Sequence, residues 1–437
     1  MVSDYMGNAK RSEKKSLDYR LPRVLVVAQN RRHKFTGGGV VLSNLFHQYP
    51  EGNLKFIHRD QAYDLENRQD EYRVNWRWVK LNLSTLLSNV YKIIRLHVRD
   101  GTLFNIANLR AIVQQSSHFS PPKKIMSEIE LFQPQVIYAQ ASDAFWSKSI
   151  VKLASALDSP HIIHFMDNHL DRKSNSNSEE VIFNEYKQRI YELTLTAKKV
   201  LVISESMAQA YGDRFKCPVD VFRAAIDVSQ WPKPREKISL KKCVKIGYVG
   251  SLEESQIPSL LDLIEVVNDL NETSSYRIKI ILHLTSAYKA SVWPRINKHR
   301  FVSFVEHPNF SDLKHVLSDL DLLVSLYGFG ADSRAYYKYS FATKIVPYML
   351  SGTPIMVYGP AGIAPVEYAR AGDWSILIDI RSRKLLADSV NDFLEKSEDK
   401  QEMVIRAWES AVKNHDLNSN ALKFQSVLQD ASVDKRA

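Results

Sequence analysis

The sequence predicts an α/β protein of two doubly wound, Rossmann-like domains facing each other across a cleft. Three observations lead there. Short β-rich runs that are apolar on both faces alternate with helix-length segments, the pattern of parallel strands buried between helices. The alternation stops at a Pro- and Lys-rich stretch and then starts again. A chain of 437 residues with 44% hydrophobic content is also larger than one ordinary core.

In chain order, residues 1–20 carry Lys10, Arg11, Lys14, Lys15 and Arg20 without an apolar run. They predict a basic disordered tail rather than a secretory signal. The first domain spans residues 21–235 and takes its strands from "RVLVVAQ", "NLKFIHR", "PQVIYAQ", "HIIHFMD", "KVLVISE" and "VDVFRAA". The linker is "DVSQWPKPREKISLKKC". The second domain spans residues 244–405, with strands in "VKIGYVGS", "RIKIILHL", "RFVSFVEH", "LDLLVSLYG", "PIMVYGP" and "WSILIDI"; residues 406–437 form a C-terminal helical segment. Ligands of such sheets bind beyond the carboxyl ends of the strands, so the site is expected between the domains.

Composition narrows the partners. Cys217 and Cys243 are the only cysteines and lie far apart, which fits a reducing cytoplasm and neither a disulfide framework nor a cysteine metal site. Residues 345–366 carry no charge, but Pro347, Pro354, Pro360 and Pro365 break them, so they predict a buried helix, turn, strand and loop rather than a membrane span. The net charge of +10 suits phosphate-bearing substrates, acidic lipids or nucleic acid, and equally a plain basic surface. No recognised nucleic-acid motif accompanies it, so nucleic acid is not expected.

One segment departs from the α/β rhythm. Leu83, Leu86, Leu87, Val90, Ile93 and Ile94 recur at helical spacing, with Lys92, Arg95, Arg99 and Arg110 among or after them. Such a helix packs its apolar stripe on its own domain, the commoner use, or makes a membrane-surface contact through residues 83–110.

Candidate site residues cluster at predicted strand ends. Gly37, Gly38 and Gly39 stand just before a helix, where backbone can approach an anionic ligand or simply turn. His164 closes a strand, with Asp167 and His169 beyond it. These could orient or deprotonate a hydroxyl with pKa values near working pH, or form an ordinary polar loop. Ser204 reads as a helix N-cap. Gly250 and Ser251 follow the first strand of the second domain, as a close-approach turn or an ordinary one.

Lys344 opens an uncharged helix, against the helix dipole, and so asks for an anion nearby. Pro347 implies that this helix starts late, with Thr343 as N-cap and Lys344 as first residue. The "GPAG" turn after the next strand, with Gly359 and Ala361, offers a second set of bare N–H groups.

At these residues the chain resembles the GT-B glycosyltransferases, and within them the retaining family numbered four. "YSFATKIVPYMLSGTPIMVYGPAG" is similar to that family's S-x-P-T-K-x-x-E-Y-hydrophobic-x-S-G-x-P signature. "VLVISESMAQAYGDRF" with "VDVFRAAID", "KIGYVGSL", "TGGGVVLSNLF" and the "HFMD" strand end resemble its weaker landmarks, over roughly residues 21 to 400. The resemblance implies a nucleotide-diphosphate-sugar donor in the second domain and an acceptor on the first. Lys344 would meet the diphosphate, Gly359 and Ala361 would lie beside the donor, and Gly38 and Gly39 would approach the phosphate or sugar. His164 or Asp167 would stand near the reacting carbon.

Pro347 and Tyr339 occupy the two positions where the family carries glutamates, and Ser251 and Gln256 stand where it has a basic pair. Arg334, Lys338 or Glu367 would then have to substitute in holding the donor. The expected activity is a retaining, hexosyltransferase-type transfer to a hydroxyl of a growing, lipid-linked envelope glycan at the inner face of the plasma membrane. It would need no metal and no cofactor beyond the nucleotide-sugar. The alternative is a catalytically silent GT-B protein, a partner in a glycan-assembly complex.

Overall fold

The structure is a computed structural model that describes residues 21–32, 37–59, 70–100, 112–113, 116–140, 144–168, 170–171, 177–234, 238–284, 292–306, 312–396 and 398–432. The basic tail and His169 lie outside the described residues.

The first domain is built on β1 (Val24–Val27), β2 (Leu54–His58), β3 (Glu71–Arg73), β6 (Val136–Ala139), β7 (His161–Phe165), β8 (Lys199–Val202) and β9 (Val219–Val221). They form one parallel seven-stranded sheet in the order β3-β2-β1-β6-β7-β8-β9. A short antiparallel pair, β4 (Val79–Leu81) with β5 (Ser117–Phe119), stands beside it. The second sheet contains β10 (Cys243–Val249), β11 (Arg277–Leu284), β12 (Val302–Glu306), β13 (Leu322–Leu326), β14 (Ile355–Tyr358) and β15 (Ile376–Ile378). Its six strands are parallel, in the order β12-β11-β10-β13-β14-β15. Both orders reverse beside the first strand of their domain, which places a crevice at the carboxyl ends of β1 and β10.

The strands read as continuous apolar runs because helices cover both faces, and β1, β6, β7, β13 and β14 are buried throughout. The largest apolar cluster does not stop at a domain boundary. It joins Leu25, Ile137 and Ile163 of the first sheet to Tyr339, Phe341, Leu350 and Trp374 of the second domain.

The C-terminal segment ties the two domains together. Helix Glu398–His415 packs on helix Ile345–Leu350 of the second domain. Helix Leu417–Ser432 then returns to the first, where the Phe424 ring meets Phe46, Tyr138 and Phe222 edge-on, at 5.1, 5.4 and 5.6 Å. The crossing is pinned at Ile226, whose N–H donates to His415 O and whose carbonyl accepts from Leu417 N–H, each at 2.9 Å.

Helix Leu83–Asp100 divides its apolar stripe, with Leu86 and Val90 half-buried. Ile93 and Asn89 face inward, but Leu83, Leu87, Tyr91 and Ile94 are exposed, so much of the apolar stripe is not packed on its own domain.

Candidate active site

The strand ends of the first sheet form one wall of a cleft of about 470 Å³, and residues of the second domain form the other. Gln29 and Asn30 follow β1, Gln140 follows β6, and His164, Met166 and Asp167 stand at the end of β7. Tyr336, Phe341 and Thr343 face them.

The glycines of this wall sit differently from expectation. They form the first turn of helix Gly37–Leu45 rather than the loop before it. Gly38 is at the cleft, where a Cβ would stand 2.2 Å from Asn30 Nδ2, so the absent side chain lets the helix start lie against the strand end. Gly39 is buried within the helix.

His164 is almost wholly buried at the cleft floor, and its Nδ1 shares a hydrogen bond of 2.7 Å with the Tyr138 hydroxyl. Burial pushes its pKa down to about 3, against a small opposing pull from the Phe222 backbone. The imidazole is therefore neutral at physiological pH, not tuned near it, and acts as a hydrogen-bonding group rather than a proton donor. Asp167 is half-buried at the cleft and adds to the burial that raises the Tyr336 phenol.

The two walls are bonded directly. Asn168 N–H donates to Ser340 Oγ at 3.3 Å, and Asn168 Nδ2 donates to Ala335 O at 2.8 Å. Ser204 is the expected N-cap, accepting from Met207 N–H at 3.2 Å, and its hydroxyl also donates to Tyr339 O at 2.7 Å across the cleft. Tyr339 is buried with its ring edge-on to Tyr211 at 6.2 Å. The side chain at this position joins the domains.

In the second domain, Gly250, Ser251 and Lys344 come together. Gly250 has φ +129°, so the glycine permits the turn, and its Cα packs beside Lys344, to whose Cδ an added Cβ would come within 3.4 Å, an ordinary contact. Its N–H is taken by His283 O at 3.0 Å. Helix Ile345–Leu350 starts one residue later than expected: Lys344 is its N-cap residue, and no side chain caps it. Pro347 falls in the first turn, where its missing N–H is not needed. Tyr348 fastens the helix to β10, accepting from Val249 N–H at 2.7 Å and donating to Val249 O at 2.9 Å.

The Lys344 ammonium donates to the Tyr248 hydroxyl, stands 4.0 Å above the Tyr248 ring, and reaches Ser251 O at 3.4 Å. Burial pulls its pKa down to about 7, with Glu253 pulling the other way.

The "GPAG" turn is not a set of bare donors. Gly359 N–H donates to Ile378 O at 3.1 Å, Ala361 N–H to Asp379 O at 3.2 Å and Gly362 N–H to Glu367 Oε1 at 2.8 Å. The expected substitutes are also engaged: Glu367 pairs with Arg370 at 3.1 Å, Arg334 Nε donates to Phe329 O at 3.1 Å, and Lys338 lies 4.8 Å over the Tyr339 ring. Gln140, Tyr248, Tyr336 and Phe341 had no sequence signal, because cross-domain and cross-strand packing alone brings them to the site. Among the described residues, no group of three or more His, Cys, Asp or Glu side chains is placed to hold a metal ion.

No protein-family model and no curated protein matches the chain. Solved structures do. A sucrose-phosphate synthase from Thermosynechococcus elongatus superposes with a TM-score of 0.61 at 12% identity, covering 93% of this chain and 98% of its own. A glycosyltransferase from Rickettsia africae gives 0.61 at 12% identity, with 95% and 100% covered. The Anabaena protein HepE, solved with UDP and glucose, gives 0.58 at 14% identity, with 93% and 100% covered. The two parallel sheets and their spanning C-terminal helices are the GT-B fold.

Proposed function

We propose that the protein is a glycosyltransferase that moves a sugar from a nucleotide-diphosphate-sugar to an acceptor hydroxyl, with retention of configuration. The observation that carries this is Lys344, a cation at the head of an uncharged helix that no side chain caps, seated against a glycine turn at the β10 strand end. A diphosphate arriving there would restore the full ammonium charge, and that charge would stabilise the departing diphosphate. HepE is solved on this fold with UDP and glucose and with UDP-glucose, which supports a nucleotide-sugar as the ligand class. Across the cleft, Asp167 and the neutral His164 would orient the acceptor hydroxyl. The acceptor oxygen would attack from the leaving-group face within an ion pair as the bond from sugar to diphosphate breaks, its proton passing to the departing diphosphate, with no carboxylate nucleophile assigned. A lipid-linked envelope glycan at the inner face of the plasma membrane is the acceptor class proposed.

Thermal shift with a panel of nucleoside diphosphates tests this. A stabilising nucleotide whose effect disappears in Lys344→Ala is the expected result, followed by hydrolysis of the corresponding nucleotide-sugars. A second hypothesis, a catalytically silent partner in glycan assembly, is favoured by Tyr339 and Pro347. One is spent on the domain contact and the other lacks any group for a ribose. No stabilisation by any nucleotide would decide for it.

A further inference from the structure

We infer that helix Leu83–Asp100 is an interfacial membrane-docking element that lays its exposed apolar face on an anionic lipid bilayer. Leu83, Leu87, Tyr91 and Ile94 fall within one angular wedge of the helix and are 66, 67, 66 and 49% exposed. Strand β4, immediately before it, exposes Val79 and Leu81 as well. Water-facing apolar side chains on one helix stripe mark an interaction surface rather than a folding requirement. The fold below is already satisfied: Ile93 fills the core, and Asn82 Oδ1 accepts from Thr85 N–H at 3.1 Å to start the helix.

Charge selects the occupant. Between Glu71 and Asp100 the chain has no acidic residue, while Arg73, Arg77, Lys80, Lys92, Arg95 and Arg99 are all basic. Lys92 and Arg95 are exposed on the helix, Arg95 at the edge of the apolar wedge and Lys92 further round, toward a neighbouring groove. An apolar stripe bordered by cations, with an aromatic residue in it, is the composition that settles at an acidic lipid interface. A second copy of the chain is a poorer fit, because a two-fold contact would set this basic edge against itself. The neighbouring groove of about 650 Å³, lined in part by Ser84, Ser88, Lys92 and Gln188, gives headgroup oxygens further donors. No helix among the described residues is long and apolar enough to cross a membrane, so this contact lies on the surface.

Co-sedimentation with vesicles tests the inference independently of any nucleotide. The full chain is expected to pellet with vesicles containing phosphatidylglycerol, to stay in solution with pure phosphatidylcholine, and to be released by salt. Leu87→Ser with Tyr91→Ser should abolish pelleting. Each of Lys92→Gln and Arg95→Gln should weaken it about fivefold. All four positions are exposed, so unchanged melting temperatures are expected to show that the fold is intact. Three results would overturn the inference: no pelleting of the wild type, equal pelleting of the variants, or a solution dimer that Leu87→Ser dissociates, which would assign the face to a second copy.

Discussion

Lys344 shows how far a single residue could be followed. Its place at the head of an uncharged helix was legible, because a cation at a helix N-terminus needs an anion. Its partners were not, since Tyr248 lies 96 residues away in sequence and meets it only through the strand order of the second sheet. The low pKa gives a pH prediction. Below about pH 7 the free lysine is already charged, so it adds no pH dependence of its own to nucleoside diphosphate affinity there. Above that, binding must take up a proton, and affinity should fall by up to about tenfold per pH unit until the bound-state pKa is reached. Calorimetry in buffers of different ionisation enthalpy would show the uptake, and Lys344→Arg should flatten the profile. Gly250→Ala is expected to destabilise the chain by about 1 kcal/mol or more, because of the positive φ, and to weaken nucleotide binding by straining the turn against which Lys344 sits. A denaturant titration and the same calorimetry measure the two effects.

At the scale of elements, buried strands were the easiest to read, because a run that is apolar on both faces has few other uses. Helix starts were harder. Gly37–Gly39 belong to a helix and Lys344 is a cap, and both outcomes depend on what the strand ends opposite them provide. The "GPAG" donors were misread for a similar reason: two of their acceptors are carbonyls at and just beyond the end of β15, which no local pattern reveals. The last helix carries the clearest energetic prediction at this scale. Phe424 is fully buried against three aromatic rings, so Phe424→Ala should cost about 3–5 kcal/mol. Thermal unfolding should show the first domain affected, although the substitution lies at the far end of the chain.

For the whole molecule, the class of fold was legible from strand rhythm, length and the restart after the linker, and the cleft followed from the general rule for parallel sheets. The bonds that hold the cleft together were not, because Asn168, Ser204, Ser340 and Tyr339 are ordinary polar and aromatic residues until the domains meet. Asn168→Ala with Ser204→Ala removes two hydrogen bonds that cross the cleft and leaves the Asn168 N–H bond to Ser340 in place. It should shift the population toward an open form, visible as a larger radius of gyration in small-angle scattering. Net loss is expected at about 0.5–1.5 kcal/mol per bond, plus a cap contribution at Ser204.

The return of helix Leu417–Ser432 to the first domain also sets an order of events during synthesis. Phe46, Tyr138 and Phe222 leave the ribosome long before Phe424 does, and the seven-stranded sheet lacks part of its cover until residues 417–432 have been made. The first domain made is therefore the last to be finished. A nascent chain stalled before residue 417 should expose that aromatic face to chaperones.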